Sequence, residues 1–432
     1  MLGSAVQNVI TFTDRIFMSY LSKDDFAAVG IASVFYLIVA AIGFGFSKGG
    51  QIMIARRVGE GQPEEVGRTF YSMLYYELGL AFFMFLVMQY GIEHIFYYFI
   101  DSESVLQKAV DYIHYRSWGV FFSYMGVAII ALYTGINRTL FIMLDAFVLA
   151  AVNIILDYHF VFGTHGFPEM GIRGVGLASA IAEASAFVVF FVYIILEKGN
   201  RGYRLFRLPK IDVELIKRQF KISAPIVLQA IIGLGSWFIF FGLIGNLNQE
   251  KHPNALAVAN LVQMVYLILS IPIWGFATGI NTLVSNFIGM RRRDAVFPIV
   301  LKTAKFSFVV TVVVVAIFML SPHFFLSPLM GAATFDLIDQ AMPTFWVVAG
   351  ILMLFSVGAI FLNGLTGTGA TYFAMKLQFF CALGYIAYIY FIVYFTNGGV
   401  PWAWGAEIIY WGIILIVSWV YLRSTRWRSL NV

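Results

Sequence analysis

The chain has a single cysteine, Cys381, among 432 residues. That excludes an internal disulfide and leaves the redox compartment open. Charge is scarce too. Only 12% of residues are charged, where a soluble domain carries about a quarter. With 60% hydrophobic residues and a mean hydropathy of +0.84, a soluble globular domain is excluded and a polytopic membrane protein is indicated. No basic leader or small-residue cleavage site precedes the first apolar stretch, so no cleavable signal peptide is expected. The net charge of +5 has no basic face on a polar domain to act through, which sets nucleic acid aside as a partner. The alternation of barrel strands is also missing, so spans across hydrocarbon must be helices that satisfy their own backbone.

What is present is a series of twelve apolar segments long enough to cross about 30 Å of hydrocarbon. They run over 2–21, 26–54, 69–97, 117–137, 140–163, 172–197, 222–247, 254–288, 299–327, 343–364, 370–395 and 401–423. Lys and Arg concentrate on alternate loops: Arg56, Arg57 and Arg68; Arg138; the stretch 198–221; Arg291, Arg292 and Arg293; and Arg423, Arg426 and Arg428. The opposite loops hold little beyond Lys23, Lys108, Arg116, Arg173 and Lys251. This bias puts both termini in the cytoplasm of a multi-pass plasma-membrane protein. The first span looks clipped, because it begins at Met1 with no loop before it.

The chain repeats itself. DDFAAVGIASVFYLIVAAIGFGF is echoed by PNALAVANLVQMVYLILSIPIWGF, and SKGGQIMIARRVGEG by TGINTLVSNFIGMRR. ALYTGINRTL is echoed by FLNGLTGTGA, and GIRGVGLASAIAE by GVPWAWGAEIIYW. The echoes keep their order at an offset of about 229–230 positions. The reading is two six-helix lobes, 1–197 and 222–432, joined by a basic linker at 198–221. An even number of spans gives both lobes one orientation, and parallel repeats suit alternating access about a central cavity.

Within the fifth span, NIILDYHF sets Asn153 and Asp157 four residues apart in apolar surroundings. A charge at mid-helix costs about 2.5–3.5 kcal/mol on insertion scales, so such residues face a bundle interior or a wet cavity and mark ion or substrate paths. The spacing puts both on one helix face. Asn153 can offer a carbonyl oxygen to a cation or an amide hydrogen to the carboxylate. Asp14, in the first span, sits at a matching depth. Two neighbouring carboxylates raise each other's proton affinity and titrate as a pair. Asp14, Asn153 and Asp157 thus form either a proton site or a sodium site. The bland reading of Asp157 is a buried acid that bridges helices.

The sequence resembles the multidrug and toxic compound extrusion (MATE) family over essentially its whole length. The residues that carry this are FTDRIFMSYL, SKGGQIMIARRVGEGQPEEVGR, TGINRTL, NIILDYHFVFG and GIRGVGLASAI. The resemblance implies a V-shaped pair of six-helix lobes that exports an organic cation in exchange for Na⁺ or H⁺, with no cofactor and no catalysis. It implies a first-lobe ion site at Asp14, Asn153 and Asp157, with Ser179 at the hydroxyl position where the family often has Thr. Glu183 falls where the family often has Gln, and either adds a carboxylate to the ion site or lines the cavity. One branch of the family carries a Glu in the seventh span and an Asp in the tenth. Gly233 and Ser356 stand there in this chain, which argues against a second-lobe cation site. Substrate contacts are expected from Tyr36, Tyr133 and Met264, with Gln229, Asn260 and Gln263 beside them, since aromatic walls suit flat cations. A monomer in the bilayer is expected.

Three other readings compete. A flippase for a lipid-linked or other amphiphilic substrate would need basic residues in the cavity, where acids predominate here. An intramembrane enzyme would need a paired-Asp metal motif, a His cluster or an activated nucleophile, and none is spelled. A channel needs no exchange.

Overall fold

In a computed structural model, residues 17, 22–205, 210–247, 251–252, 254–326, 335–396 and 398–429 are described. The span expected at 2–21, and Asp14 and Arg15 with it, lies outside them. Among the described residues there is no strand. Ten helices are long and apolar enough to cross a membrane, and a bent pair makes up to eleven. Lipid enforces this, because an unpaired backbone group has no partner there.

The first compact unit extends to Val227. It contains α1 (Lys23–Gly59), α2 (Pro63–Leu86), α3 (Glu103–Arg116), α4 (Val120–Gly135), α5 (Leu140–Phe162), α6 (Ile172–Leu196) and the start of α7 (Val213–Ile244). The second runs from Leu228. It adds α8 (Ala255–Leu269), α9 (Ile271–Gly289), α10 (Val296–Leu320), α11 (Phe335–Gly367), α12 (Thr371–Phe395), α13 (Val400–Trp404) and α14 (Ala406–Arg423). The division falls inside α7, two residues beyond Pro225, which lacks the N–H a helix uses at that point.

The helix α7 begins well before the expected 222. Asp212 explains the early start. Its Oδ1 accepts the Leu215 backbone N–H at 3.0 Å, and its Oδ2 accepts from Arg68 Nη2 at 2.6 Å. A carboxylate on a helix N-terminus satisfies donors that have no partner within the helix. The Leu215 N–H and then Arg68 hold this exposed carboxyl below its ordinary pKa.

The repeat leaves parallel marks in each unit. The helix α4 ends at a left-handed Asn137 (φ 61°), and α11 at a left-handed Gly369 (φ 93°). Gly135 lies where a Cβ would meet the Gln51 carbonyl oxygen at 3.2 Å, and Gly367 abuts the corresponding Asn281 carbonyl. The repeat also diverges. The helix α1 runs unbroken, whereas α8 and α9 meet at a 47° bend. Pro272, just inside α9, has no N–H for the Ile268 carbonyl, and the first repeat has Ile42 in its place.

In the first unit, the start of α7 lies tightly on α1. Ser223 donates to the Phe46 carbonyl at 2.9 Å. A Cβ on Gly45 would stand 3.1 Å from Val227 Cα, and one on Gly49 would stand 3.0 Å from Ser223 Cα. Small residues four apart allow this approach, which supplies the contact energy between helices in lipid. We predict that Gly49→Val destabilises the purified protein by about 1–3 kcal/mol through overpacking, read as a lowered thermal midpoint in detergent. Gly30→Ala, where nothing lies within 4 Å, leaves the midpoint in place. Equal effects of the two would show that the close approach carries no energy.

Candidate functional site

The helices α5 and α6 lie side by side and bring the expected polar residues together. Asn153, Asp157 and Ser179 are all fully buried, at 0% exposure. Asn153 Nδ2 donates to Ser179 Oγ at 3.1 Å, bridging the two helices. This orientation turns Asn153 Oδ1 away from Ser179. Asp157 follows Asn153 by one helical turn on the same face. A carboxylate one turn from an amide–hydroxyl bridge therefore lies in a region of apolar helix, and carboxylate, carbonyl and hydroxyl oxygens are ligands that a hard monovalent cation or a proton uses.

One turn beyond Ser179, Glu183 meets two partners. Arg116 Nη2 lies 3.0 Å from Glu183 Oε1. The Tyr36 hydroxyl donates to Oε2 at 2.9 Å. The Arg116 guanidinium also covers the Tyr36 ring, 4.0 Å from its centroid. Arg116 and Glu183 are each 2% exposed. The two charges thus cancel within a low-dielectric interior, with a cation–π contact added. Glycine brings the helices close enough for this. A Cβ on Gly176 would meet Tyr115 Cβ at 3.2 Å and the Arg116 backbone nitrogen at 3.3 Å.

The sequence reading counted Arg116 as an outer-loop residue, and the structure corrects that. It ends α3, whose buried residues include Val105, Ala109, Tyr112 and Arg116. Those spacings of four, three and four are the signature of a buried helix face. The signal is legible in the sequence, although a lone charge at a span's edge also fits a topology marker.

The family model described as MatE matches residues 1–159 and 225–391. The chain belongs to the MatE family. A probable multidrug resistance protein NorM of Bradyrhizobium diazoefficiens is 24% identical, over 96% of this chain and 90% of that protein. One from Synechocystis is 26% identical over 60% of this chain. There the match spans 57% of the relative's length, under two thirds. Among solved structures, an outward-facing multidrug resistance MATE family transporter of the MOP superfamily aligns with a TM-score of 0.88 at 20% identity, covering 100% of this chain and 94% of that one. A MOP superfamily transporter from Pyrococcus furiosus aligns at 0.86 and 20% identity, covering 99% and 94%. At such identities the likeness establishes the MatE fold.

The remaining expected site residues scatter. Tyr36 is buried on Glu183, whereas Tyr133 lies in a separate core cluster, where Asn200 donates to its hydroxyl at 2.7 Å. In the second unit, Gln229 is half-buried and donates to the Thr371 carbonyl at 3.4 Å. Asn260 is exposed and bonds its own helix at Leu256, while Gln263 is half-buried and Met264 packs against the core. Glu77 is fully buried, with Oε1 accepting from Ser47 at 2.8 Å. Asp145 is buried too, twelve residues before Asp157 and so about 18 Å away along α5.

The ion pair on α6 makes a prediction. Arg116→Met alone leaves Glu183 buried without its counter-charge and costs about 3–5 kcal/mol. Adding Glu183→Gln recovers more than half, because no charge is then stranded. Thermal melts of the single and double variants check this, and simple additivity of the two losses would sink it.

Proposed function

We propose that this MatE chain is a secondary antiporter that exports organic cations in exchange for Na⁺ or H⁺, with the exchanged ion bound at Asp157, Asn153, Ser179 and Asp14. Asp14 lies outside the described residues and enters on the sequence reading alone. The observation that carries the proposal is the fully buried Asp157 beside the Asn153–Ser179 bridge. A carboxylate at such depth in a span is costly and marks an ion or substrate path. NorM relatives named for multidrug resistance support export of small molecules, and the buried acids are what favour a cation among them. Glu183 enters as the acid that Arg116 neutralises, holding α6 in place for Ser179.

In this cycle the ion enters the site from outside and offsets the charge on Asp157. One monovalent charge moving down 100 mV supplies about 2.3 kcal/mol. Release of the ion inside frees the carboxylate, and an outgoing cation is bound in exchange. The membrane is the prokaryotic cytoplasmic one, with both termini inside, and the transporter acts as a monomer. A flippase for a pyrophosphate-linked lipid fits less well, because the buried Arg116 is already matched by Glu183.

The deciding measurement is efflux of a fluorescent cationic dye from proteoliposomes under a Na⁺ gradient and, separately, a pH gradient. One gradient drives the wild type. Asp157→Asn abolishes that efflux while dye binding persists. Ser179→Ala loses one oxygen and raises the half-saturating ion concentration by about tenfold. Normal coupling in Asp157→Asn would make helix α5 merely structural.

A further inference from the structure

The second unit contains a buried acid at the place in the repeat that corresponds to Ser179 of the first. Glu407 opens α14 and is 4% exposed. It stands seven residues beyond Val400, as Ser179 stands seven beyond Ile172, so both lie about 10 Å along their spans. In the echoed segments GIRGVGLAS and GVPWAWGAE, Ser179 and Glu407 occupy the same ninth place. The partners correspond as well. Asn153, thirteen residues into α5, bonds Ser179, and Tyr385, fourteen residues into α12, directs its hydroxyl to the Glu407 carboxylate. Tyr36 of α1 answers to Tyr266 of α8, which is directed toward the Trp411 indole and faces Glu407.

The surroundings of Glu407 are aromatic and neutral. The helix α8 presents Tyr266, α12 presents Tyr385, and α14 itself presents Tyr410 and Trp411. The helix α11 closes the far side with Phe355, its ring 4.3 Å from that of Trp411, and α13 places the fully buried Trp404 5.7 Å from Tyr266. Cys381 of α12 faces Tyr410. Among the described residues Glu407 makes no ion pair. Tyr385 and Tyr410 have ring centroids 6.0 Å apart, and Tyr410 accepts from Gln378 Nε2 at 3.2 Å. Gln378 is half-buried, and among the described residues its buried Oε1 has no partner.

We propose that Glu407 is a second ion-coupling site of this protein, specific for a proton, which its carboxylate binds and releases during transport. The chemistry selects the proton. A metal cation needs several oxygens around it, whereas of the three tyrosine hydroxyls only that of Tyr385 is directed to the carboxylate; the Tyr266 hydroxyl is directed to Trp411, that of Tyr410 accepts from Gln378, and the rest of the cage is carbon rings. A proton needs only the carboxylate oxygen, and the Tyr385 hydroxyl accommodates either state, donating to the anion and accepting from the acid. The site lies on the last span, apart from Gly233 and Ser356, so the bare seventh span does not exclude it. The role in the cycle rests on the transport reading above. Protonation itself does not.

The test is infrared difference spectroscopy between acidic and alkaline buffer, on the full chain in lipid, with sodium and then choline as counter-ion. The wild type shows a protonated-carboxyl band that Glu407→Gln lacks and Asp157→Asn keeps. Tyr385→Phe keeps the band at a displaced frequency, because the hydrogen bond to the carboxyl is gone. In dye efflux, Glu407→Gln flattens the pH dependence of transport. Three results overturn the proposal: a full carboxyl signal in Glu407→Gln, a band unmoved in Tyr385→Phe, or a Glu407-dependent band that sodium removes. Absence of dye efflux from the wild type under either gradient would fail the transport reading, while the spectra still decide Glu407.

Discussion

Hydrocarbon offers no hydrogen-bond partner, and most of what this chain does follows from that constraint. Its backbone is helical because the helix satisfies its own N–H and C=O groups. Side chains that cannot be satisfied that way are drawn together. Ser223 bonds the Phe46 carbonyl, Asn153 bonds Ser179, and Ser47 bonds Glu77. Each such bond fixes one helix against another, so the polar residues specify the register that apolar packing alone would leave loose.

The buried acids divide by how their charge is met. Glu183 has a guanidinium and a phenol, which makes it a fixed internal charge pair. Glu77 has a serine hydroxyl. Glu407 has phenols and an indole, all neutral. Asp157 shares a helix face with Asn153, which bonds the Ser179 hydroxyl, and these are groups that match either a cation or a proton. Permanent pairing suits a structural role, because separating the charges is costly. Neutral, polarisable surroundings suit a group that changes charge.

Duplication followed by divergence accounts for the contrast between the units. Their shared left-handed helix ends and glycine contacts preserve the backbone. The chemistry at matched places has changed: serine against glutamate at 179 and 407, glutamate against tryptophan at 183 and 411. The proline at 272 bends one repeat where the other stays straight.

The sequence by itself determined the spans, the repeat and the family, because lipid solubility and backbone satisfaction act on stretches of about twenty residues that can be read one at a time. It also determined that Asn153 and Asp157 share a face, a consequence of helical pitch. Only the tertiary structure decided the partners. Arg116 reached Glu183 across 67 positions, and Tyr36 reached it across 147. Tyr133 went to a different core from Tyr36. Glu407 gathered a cage from five helices. Such contacts depend on how helices pack through glycine notches and side-chain shape, and neither local propensity nor hydropathy records that.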